Sequence, residues 1–361
     1  MRVLLLTRYN RLGASSRLRS FQYIPWFKKA GFECTVSYLI DSHELTNRYR
    51  DGQYGWGVLI RAYYRRLRAL WGLYRFDLVW IEKEALPWFP ASFERWLLSG
   101  VPYVLDYDDA VFHKYDQHRD ALVRGVFADR LDRIMAGAGL VIAGNSYLAD
   151  RARNAGAGWV EVVPTAVDLN RYTVKRTENN HPNTLQIVWI GTPYTSRYLN
   201  FLRRPLEEVG RRFPLKLRVI GGTMPSLPGV QIEAVPWAQA TEVALIRESD
   251  IGVMPLSDAP MERGKCGYKL IQYMACGLPV VASPVGANCD IVRHGKNGFL
   301  ANTPGEWAEA LNELLADSAL RREMGSSGRR KVEREYCLQK TAPFLEKLLR
   351  AAAQEADYVC P

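Results

Sequence analysis

The sequence predicts an α/β protein made of two doubly wound halves. Short apolar runs alternate with amphipathic helical stretches over residues 3–163. A polar segment, 168–184, has no apolar period, and the alternation restarts at Leu185. A chain of 361 residues has room for about two domains. With 48% apolar and 24% charged residues, the balance is that of a globular protein and excludes wholesale disorder. No uncharged apolar run reaches about 18 residues, which excludes a membrane-spanning helix.

Taken in order, Val3–Leu6 reads as a strand and Gly13-Ala-Ser-Ser16 as a loop. A helix over Leu18–Ala30 stops at Gly31, a favourable C-terminal cap. Strands follow at Cys34–Leu39, Leu78–Ile81 and Tyr103–Leu105. Then come a helix over Ala121–Gly137, a strand at Leu140–Ala143, a helix over Asn145–Ala155, and a strand at Val160–Val163 ending at Pro164. The start, Met1–Tyr9, has four consecutive apolar residues at most. That is too short for a signal-peptide core, so a cytoplasmic chain is expected.

After the polar segment, strands are expected at Leu185–Ile190, Leu215–Ile220, Val230–Ala234, Ile251–Met254 and Val280–Ala282. Helices are expected at Leu199–Phe213, Ala240–Glu248, Tyr268–Cys276, Trp307–Ala316, Ala319–Glu335 and Thr341–Ala353. Strands alternating with helices imply parallel sheets. The expected organisation is two Rossmann-like domains, 1–167 and 185–340, a linker over 168–184, and a last helix, 341–357, returning to the first domain. Ligands of such sheets bind beyond the carboxyl ends of the strands, so the default site is the cleft between two facing halves. The six cysteines show no metal-ligand spacing and read as reduced thiols or core filler.

The net charge of +10 favours anionic partners. Residues 48–75 hold seven arginines, seven aromatics and one acid, Asp51. From Ile60 the period is helical, with Ile60, Tyr63, Tyr64, Leu67, Leu70 and Tyr74 on one face and Arg61, Arg65 and Arg68 on another. A basic, aromatic helix suits a membrane interface, with Arg61, Tyr64, Arg65, Arg68 and Trp71 as its contact residues. The same pattern also fits a surface helix packed on its own domain. No nucleic-acid module accompanies it, and no nucleic-acid partner is expected.

The most informative stretch runs Lys265-Cys-Gly-Tyr-Lys-Leu-Ile-Gln-Tyr-Met-Ala-Cys-Gly-Leu-Pro-Val-Val-Ala-Ser-Pro-Val-Gly286. It is a glycine turn, a helix, a Gly-Leu-Pro stop and a buried strand. A helix start behind a glycine offers free N–H groups to a phosphate, and Lys265 and Lys269 add charge beside it. On the N-terminal side, Gly13-Ala-Ser-Ser-Arg17 follows the first strand. Its N–H groups around Gly13 and Ser16, helped by Arg17 or Arg19, are candidates for the same phosphates.

The 265–286 stretch resembles the donor signature of the retaining GT-B glycosyltransferases of family 4, in a form K-x3-K-x2-[EQ]-Y-M-A-x-G-x-P. Other segments resemble that family in the same order: Val162-Val-Pro-Thr-Ala-Val-Asp168, Val141-Ile-Ala-Gly-Asn-Ser146, Val188-Trp-Ile-Gly191, Asp250-Ile-Gly-Val-Met-Pro-Leu256 and Ile291-Val-Arg-His-Gly-Lys-Asn-Gly-Phe-Leu300. The resemblance implies a GT-B fold. It also implies a hexosyl-type transfer (EC 2.4) from a nucleotide-diphosphate sugar to an acceptor hydroxyl, with retention and with no cofactor or metal. For the donor it implies Gly191, Lys265, Gly267, Lys269 and Gln272; members often place Arg after that glycine and Lys some six residues on, where this chain has Thr192 and Arg197. The family often carries two glutamates eight apart; here Gly264 and Gln272 stand there. Gln272 keeps an amide that could meet the ribose hydroxyls, and Glu262 is the nearby carboxylate that could replace the first glutamate.

Asp106-Tyr-Asp-Asp109 contains Asp-x-Asp, a spacing that elsewhere holds a divalent metal. With the donor motif in the second half, Asp108 and Asp109 read instead as groups orienting substrate hydroxyls. His113 or His118 is a candidate proton relay, and Glu82 and Glu84 are candidate acceptor contacts. No enzymic nucleophile is evident, so catalysis would rest on positioning and on stabilising the departing diphosphate. The basic helix suggests an anionic membrane surface and a saccharide or lipid-linked acceptor, as in bacterial cell-surface polysaccharide synthesis. A catalytically silent nucleotide-sugar-binding scaffold and a sugar-nucleotide epimerase are the alternatives.

Overall fold

A computed structural model describes residues 1–174 and 184–355. The chain forms two compact units. Unit 1 comprises Met1–Thr165, Gly264–Cys266 and the segment from Thr341 onward; unit 2 comprises Ala166–Arg263 and Gly267–Lys340. The central part of the expected linker, 175–183, lies outside the described residues, as do positions 356 and 357 of the expected last helix.

Unit 1 is built on strands β1 (Arg2–Tyr9), β2 (Glu33–Ile40), β3 (Leu78–Glu82), β4 (Tyr103–Tyr107), β5 (Leu140–Ala143) and β6 (Val160–Val162). They form one sheet in the order β2-β1-β3-β4-β5-β6, with every pair parallel. Parallel strands need crossovers that cover both faces, which is why β3, β4 and β5 are buried at every residue. The chain winds outward in opposite directions from β1 and β3.

Unit 2 repeats the plan with β7 (Leu185–Ile190), β8 (Leu215–Ile220), β9 (Val230–Val235), β10 (Ile251–Met254), β11 (Val280–Ala282) and β12 (Gly298–Leu300). The order is β12-β11-β10-β7-β8-β9, again all parallel, and it reverses between β7 and β10. Alternate residues feed two separate cores. Val188, Ile190 and Met254 pack with Ile271 and Met274; Ile187, Trp189 and Val253 pack with Leu202, Leu206 and Leu311.

Several elements differ from the sequence reading. Gly298–Leu300, for which no strand was expected, is the edge strand β12. The helix expected over Ala121–Gly137 is two, Ala121–Phe127 and Arg130–Met135, because Asp129 leaves the helical region and turns Arg130 into the core. Leu18–Ala30 also breaks. A wide turn carries Gln22 N–H to the Arg17 carbonyl, and a new helix starts at Ile24 with Pro25 in its first turn. The helix Ser42–Asp51 was not anticipated, although Asp41 and Glu44 form a reciprocal cap at its start.

Candidate functional site

In unit 2 the expected donor residues gather at the carboxyl ends of β7 and β10. Gly191 continues the ladder, its N–H donating to the Ile220 carbonyl at 2.9 Å. A Cβ there would stand 2.3 Å from the Trp189 ring, so only glycine fits. Thr192 N–H donates to Thr195 Oγ at 3.0 Å and starts the tight helical turn Thr195–Leu202. That turn presents Arg197, whose guanidinium stacks on Tyr194 with 4.3 Å to the ring centroid. Arg197 also donates to the Tyr198 hydroxyl at 3.1 Å and lies 3.8 Å from Glu262. Glu262 is buried on the short helix Pro260–Arg263, where its carboxylate accepts from the Tyr198 hydroxyl. Burial, with the Glu262 bond, pushes the Tyr198 phenol up to about 12.

The helix Tyr268–Ala275 starts at Gly267, whose φ of +63° suits glycine alone. A Cβ at Gly267 would also meet Ile291 Cδ1 at 2.3 Å. Lys269, in the first turn, places Nζ 5.6 Å from the Trp189 ring centroid, at the end of β7. Gln272, one turn on, is buried and donates Nε2 to the Tyr172 hydroxyl at 2.7 Å. Tyr172 in turn donates to Glu242 at 2.9 Å, and Glu242 also accepts from Trp237 and Arg171. Sequence reasoning missed Tyr172, Tyr198 and Glu242, which the chain scatters over some 70 positions.

Lys265 belongs to unit 1. Its carbonyl accepts from Asn145 Nδ2 at 3.1 Å, and its Nζ stands 4.0 Å from Asp109. Asp109 also caps the N–H of Ala110 at 3.1 Å. Cys266 donates its thiol to the Asp108 carbonyl at 3.2 Å, and burial raises that thiol well above its ordinary value. The described cysteines 34, 266, 276, 289 and 337 are free thiols.

The carboxyl ends of β1, β3 and β4 in unit 1 carry a dense set of buried charges. Lys83 Nζ lies 2.8 Å from Asp108 and donates to Ser15 Oγ at 3.0 Å. Burial works against ionising Asp108, but Lys83, Ser15 and Arg19 outweigh it and hold the carboxyl below its usual range. Asp106, two residues earlier, is paired with Arg19 at 2.9 Å. There burial wins over Arg19 and lifts the carboxyl to about 6. Glu82 accepts from Ser16 Oγ at 2.5 Å and from Arg8 N–H at 3.0 Å. Glu84 is held by Tyr115, Arg130 and Arg8. Glu82 and Glu84, expected near the acceptor, are thus tied into the interior of unit 1.

Other expected residues are similarly engaged. The Ser16 hydroxyl accepts from Tyr9 N–H, and Arg17 folds back on the carbonyls of Arg11 and Leu12. Gly13 N–H donates to Asn10, and a Cβ on Gly13 would collide with Tyr9 at 2.3 Å. His113 is buried, with Nδ1 at 2.8 Å from Asp116 and Nε2 at 2.7 Å from the Tyr147 hydroxyl. Both ring nitrogens are used within unit 1. His118 accepts from the Asp120 N–H beside Trp88. Among the described residues, no group of three or more His, Cys, Asp or Glu is placed to hold a metal ion.

The basic helix runs from Trp56 to Trp71, and its faces differ from the sequence reading. Arg65 points inward. It donates to the Tyr38 and Leu39 carbonyls at 3.1 and 2.6 Å, so it leaves the expected outer patch. Arg66 is fully buried on the Thr7 carbonyl, where burial lowers it to about 10. Tyr63 turns to the Pro87 carbonyl. The outer stripe is instead Trp56, Ile60, Tyr64 and Trp71, each 68–82% exposed, flanked by the exposed Arg61 and Arg68.

Two family models match this chain. Residues 42–166 match the glycosyl transferase 4-like domain, and residues 184–317 match glycosyl transferases group 1. Each half thus matches a glycosyltransferase domain model. The chain is similar to the Anabaena HepE protein solved with UDP and glucose (TM-score 0.73, 17% identity, 97% of this chain and 99% of that one). It is equally similar to sucrose-phosphate synthase from Thermosynechococcus elongatus (TM-score 0.72, 17% identity, 97% and 98%). These likenesses establish the two-domain GT-B fold of the glycosyltransferases. A D-inositol 3-phosphate glycosyltransferase from Pseudarthrobacter chlorophenolicus is 24% identical over 256 residues, 63% of this chain and 60% of that protein. The chain spans 60% or less of the length of the first curated relatives it matches.

Proposed function

We propose that the protein is a retaining glycosyltransferase that moves a hexosyl group from a nucleotide-diphosphate sugar to an acceptor hydroxyl. Unit 2 holds the donor and unit 1 the acceptor. The observation that carries the reading is the set of residues at the reversal of strand order in unit 2. There a glycine-started helix, Lys269 and Arg197 surround the ends of β7 and β10. Helix N–H groups and cations suit a diphosphate, and they neutralise it as it leaves. The structural neighbours that carry UDP, or UDP with glucose, favour a uridine donor. No cofactor or metal enters the proposed step.

The acceptor is a lipid-linked saccharide at the cytoplasmic face of a membrane, in cell-surface polysaccharide synthesis. The exposed stripe Trp56, Ile60, Tyr64 and Trp71 supports this, with Arg61 and Arg68 beside it for lipid phosphates. Among the described residues no helix is long and apolar enough to cross a membrane, so attachment would be peripheral.

Thermal-shift titration with UDP, GDP, dTDP and ADP, followed by their sugars, tests the donor. Proton NMR of the product tests retention. One nucleotide is expected to raise Tm, and its sugar is expected to be consumed only with an acceptor present. Consumption without acceptor to an isomeric sugar nucleotide would identify an epimerase. Binding without turnover would identify a scaffold, a reading that the missing glutamates at Gly264 and Gln272 motivate.

A further inference from the structure

Three consecutive charged residues, Glu82, Lys83 and Glu84, are buried at the carboxyl end of β3. An extended strand would send the middle one to the opposite face. The backbone breaks that alternation. Glu84 N–H donates to the Glu82 carbonyl at 2.8 Å, a three-residue turn centred on Lys83, whose φ is +66°. Side chains other than glycine rarely adopt this conformation, and it persists only where its surroundings enforce it. The enforcing contacts are those of the ammonium group. Lys83 is 4% exposed, lies 2.8 Å from Asp108 and donates to Ser15. One cation thus joins the loops after β1, β3 and β4. The Asp108 side chain keeps 13% of its surface open.

We propose that Lys83 is a positioning residue that holds the Asp108 carboxylate in place to accept a hydrogen bond from a hydroxyl of the acceptor sugar. This rests on the reading of unit 1 as the acceptor side. The ion pair, with the Ser15 hydroxyl beside it, restrains the Asp108 carboxylate, so its exposed edge meets the hydroxyl at a fixed point. The charged and titratable groups facing Asp108 are Lys83 and Glu82 from β3 and its loop and Arg19 from the helix after β1. Asp106 faces it from β4 and Cys266 from the segment 264–266, while Asp109, next in the chain, faces Lys83 and Cys266. Of these, Lys83 has its charged atom in direct contact with the carboxylate.

The test uses the full chain with Lys83→Met, Lys83→Arg, Asp108→Asn and the double variant K83M/D108N. The acceptor probes are n-octyl glycosides of glucose, galactose, mannose and N-acetylglucosamine. Acceptor kcat/KM is measured over pH 5–9, with nucleotide Kd as a control carried by unit 2. K83M is expected to lower acceptor kcat/KM at least tenfold and to leave nucleotide Kd within twofold. It should also move the acid limb of the profile to higher pH, because Asp108 loses its cation. K83R should restore part of the rate. In the D108N background K83M should change the rate less than twofold. Additive losses, an unmoved acid limb, or a K83M protein that does not fold while D108N retains wild-type acceptor kinetics would overturn the proposal. If D108N loses acceptor kinetics and K83M does not, only the role of Lys83 falls. If no glycoside binds the wild type by saturation-transfer NMR, the acceptor reading of unit 1 falls and takes this proposal with it.

Discussion

Gln272 donates its side-chain amide to the Tyr172 hydroxyl at 2.7 Å, and Tyr172 donates onward to Glu242 at 2.9 Å. A carboxylate only accepts, so the order of donors is fixed: Tyr172 gives its proton to Glu242 and must accept from Gln272. The network therefore uses Nε2 of Gln272 and leaves its carbonyl oxygen as the remaining acceptor. Burial, with Tyr268 and Glu242 nearby, raises the Tyr172 phenol well above its ordinary value, so the hydroxyl stays a donor. Gln272→Glu would set a second carboxylate against one hydroxyl proton. It is expected to lower stability by about 1–3 kcal/mol, the cost of a buried unsatisfied polar group, and to weaken nucleotide binding. Tyr172→Phe should do the same by stranding the Gln272 amide, while Glu242 keeps Arg171 and Trp237. Thermal melts and calorimetric titration with UDP check both; a Gln272→Glu protein of unchanged Tm would refute the donor order.

Lys269 stands in the first turn of the helix behind Gly267 and reaches over Trp189. A cation placed to meet a departing diphosphate contributes mostly in the transition state. Losing one such contact costs about 10²–10³ in rate. Lys269→Ala is expected to lower turnover at least tenfold while circular dichroism and Tm stay near wild type. Donor turnover at the wild-type rate in that variant would remove the phosphate role.

Much of the fold was legible because buried parallel strands read as plain apolar runs. Leu185–Ile190 and Leu215–Ile220 were found to the residue for that reason. The helix Tyr268–Ala275 was legible from Gly267 and the Gly277-Leu-Pro stop. The three-residue edge strand Gly298–Leu300 was not, since so short a run carries no period. Arg65 misled because a helical wheel gives an angle and not the carbonyls at the end of β2 that draw an arginine inward. Lys83 was illegible for another reason. Glu-Lys-Glu reads as a solvated loop unless the turn at Lys83 is seen. The Asp-x-x-Glu cap before Ser42–Asp51 was a signal in the sequence that would have located that helix.

The outer and inner arginines of the helix Trp56–Trp71 make opposite predictions. Arg61 and Arg68 are exposed beside Tyr64 and Trp71, so neutralising both should reduce flotation with anionic vesicles without shifting Tm. Arg65 holds the Tyr38 and Leu39 carbonyls. Arg65→Ala should lower stability by about 1.5–3 kcal/mol, the range for a hydrogen bond from a charged donor. It should leave vesicle binding per folded molecule unchanged. Flotation on phosphatidylglycerol-containing and pure phosphatidylcholine vesicles, with thermal melts alongside, separates the two. Flotation unchanged by the Arg61 and Arg68 substitutions would remove the membrane assignment.

Asp106 and Arg19 form a buried pair in which burial works against the charged carboxylate. Desolvation outweighs Arg19 and lifts the Asp106 carboxyl to about 6, and its Oδ2 has no hydrogen-bond partner among the described residues. The sign follows from comparing the folded state with an unfolded chain that titrates near the ordinary 3.8. Between those two values the folded protein keeps a proton that the unfolded chain has lost. Stability from this group is therefore fully present below about pH 4 and is lost as pH rises through about 6. The slope is at most about 1.4 kcal/mol per pH unit for one proton. Asp106→Asn mimics the protonated acid and cannot titrate. It is expected to be no less stable than wild type at pH 7.5, as when a buried ion pair costs more than it returns, and to lose one proton's slope between pH 4.5 and 6. Asp108, held below its usual range by Lys83, acts with the opposite sign and only at lower pH, so the two do not overlap in this window. Urea unfolding at half-unit pH steps measures the difference. A variant more than about 1 kcal/mol weaker at pH 7.5, with the slope intact, would show that Arg19 repays the desolvation of Asp106 in full.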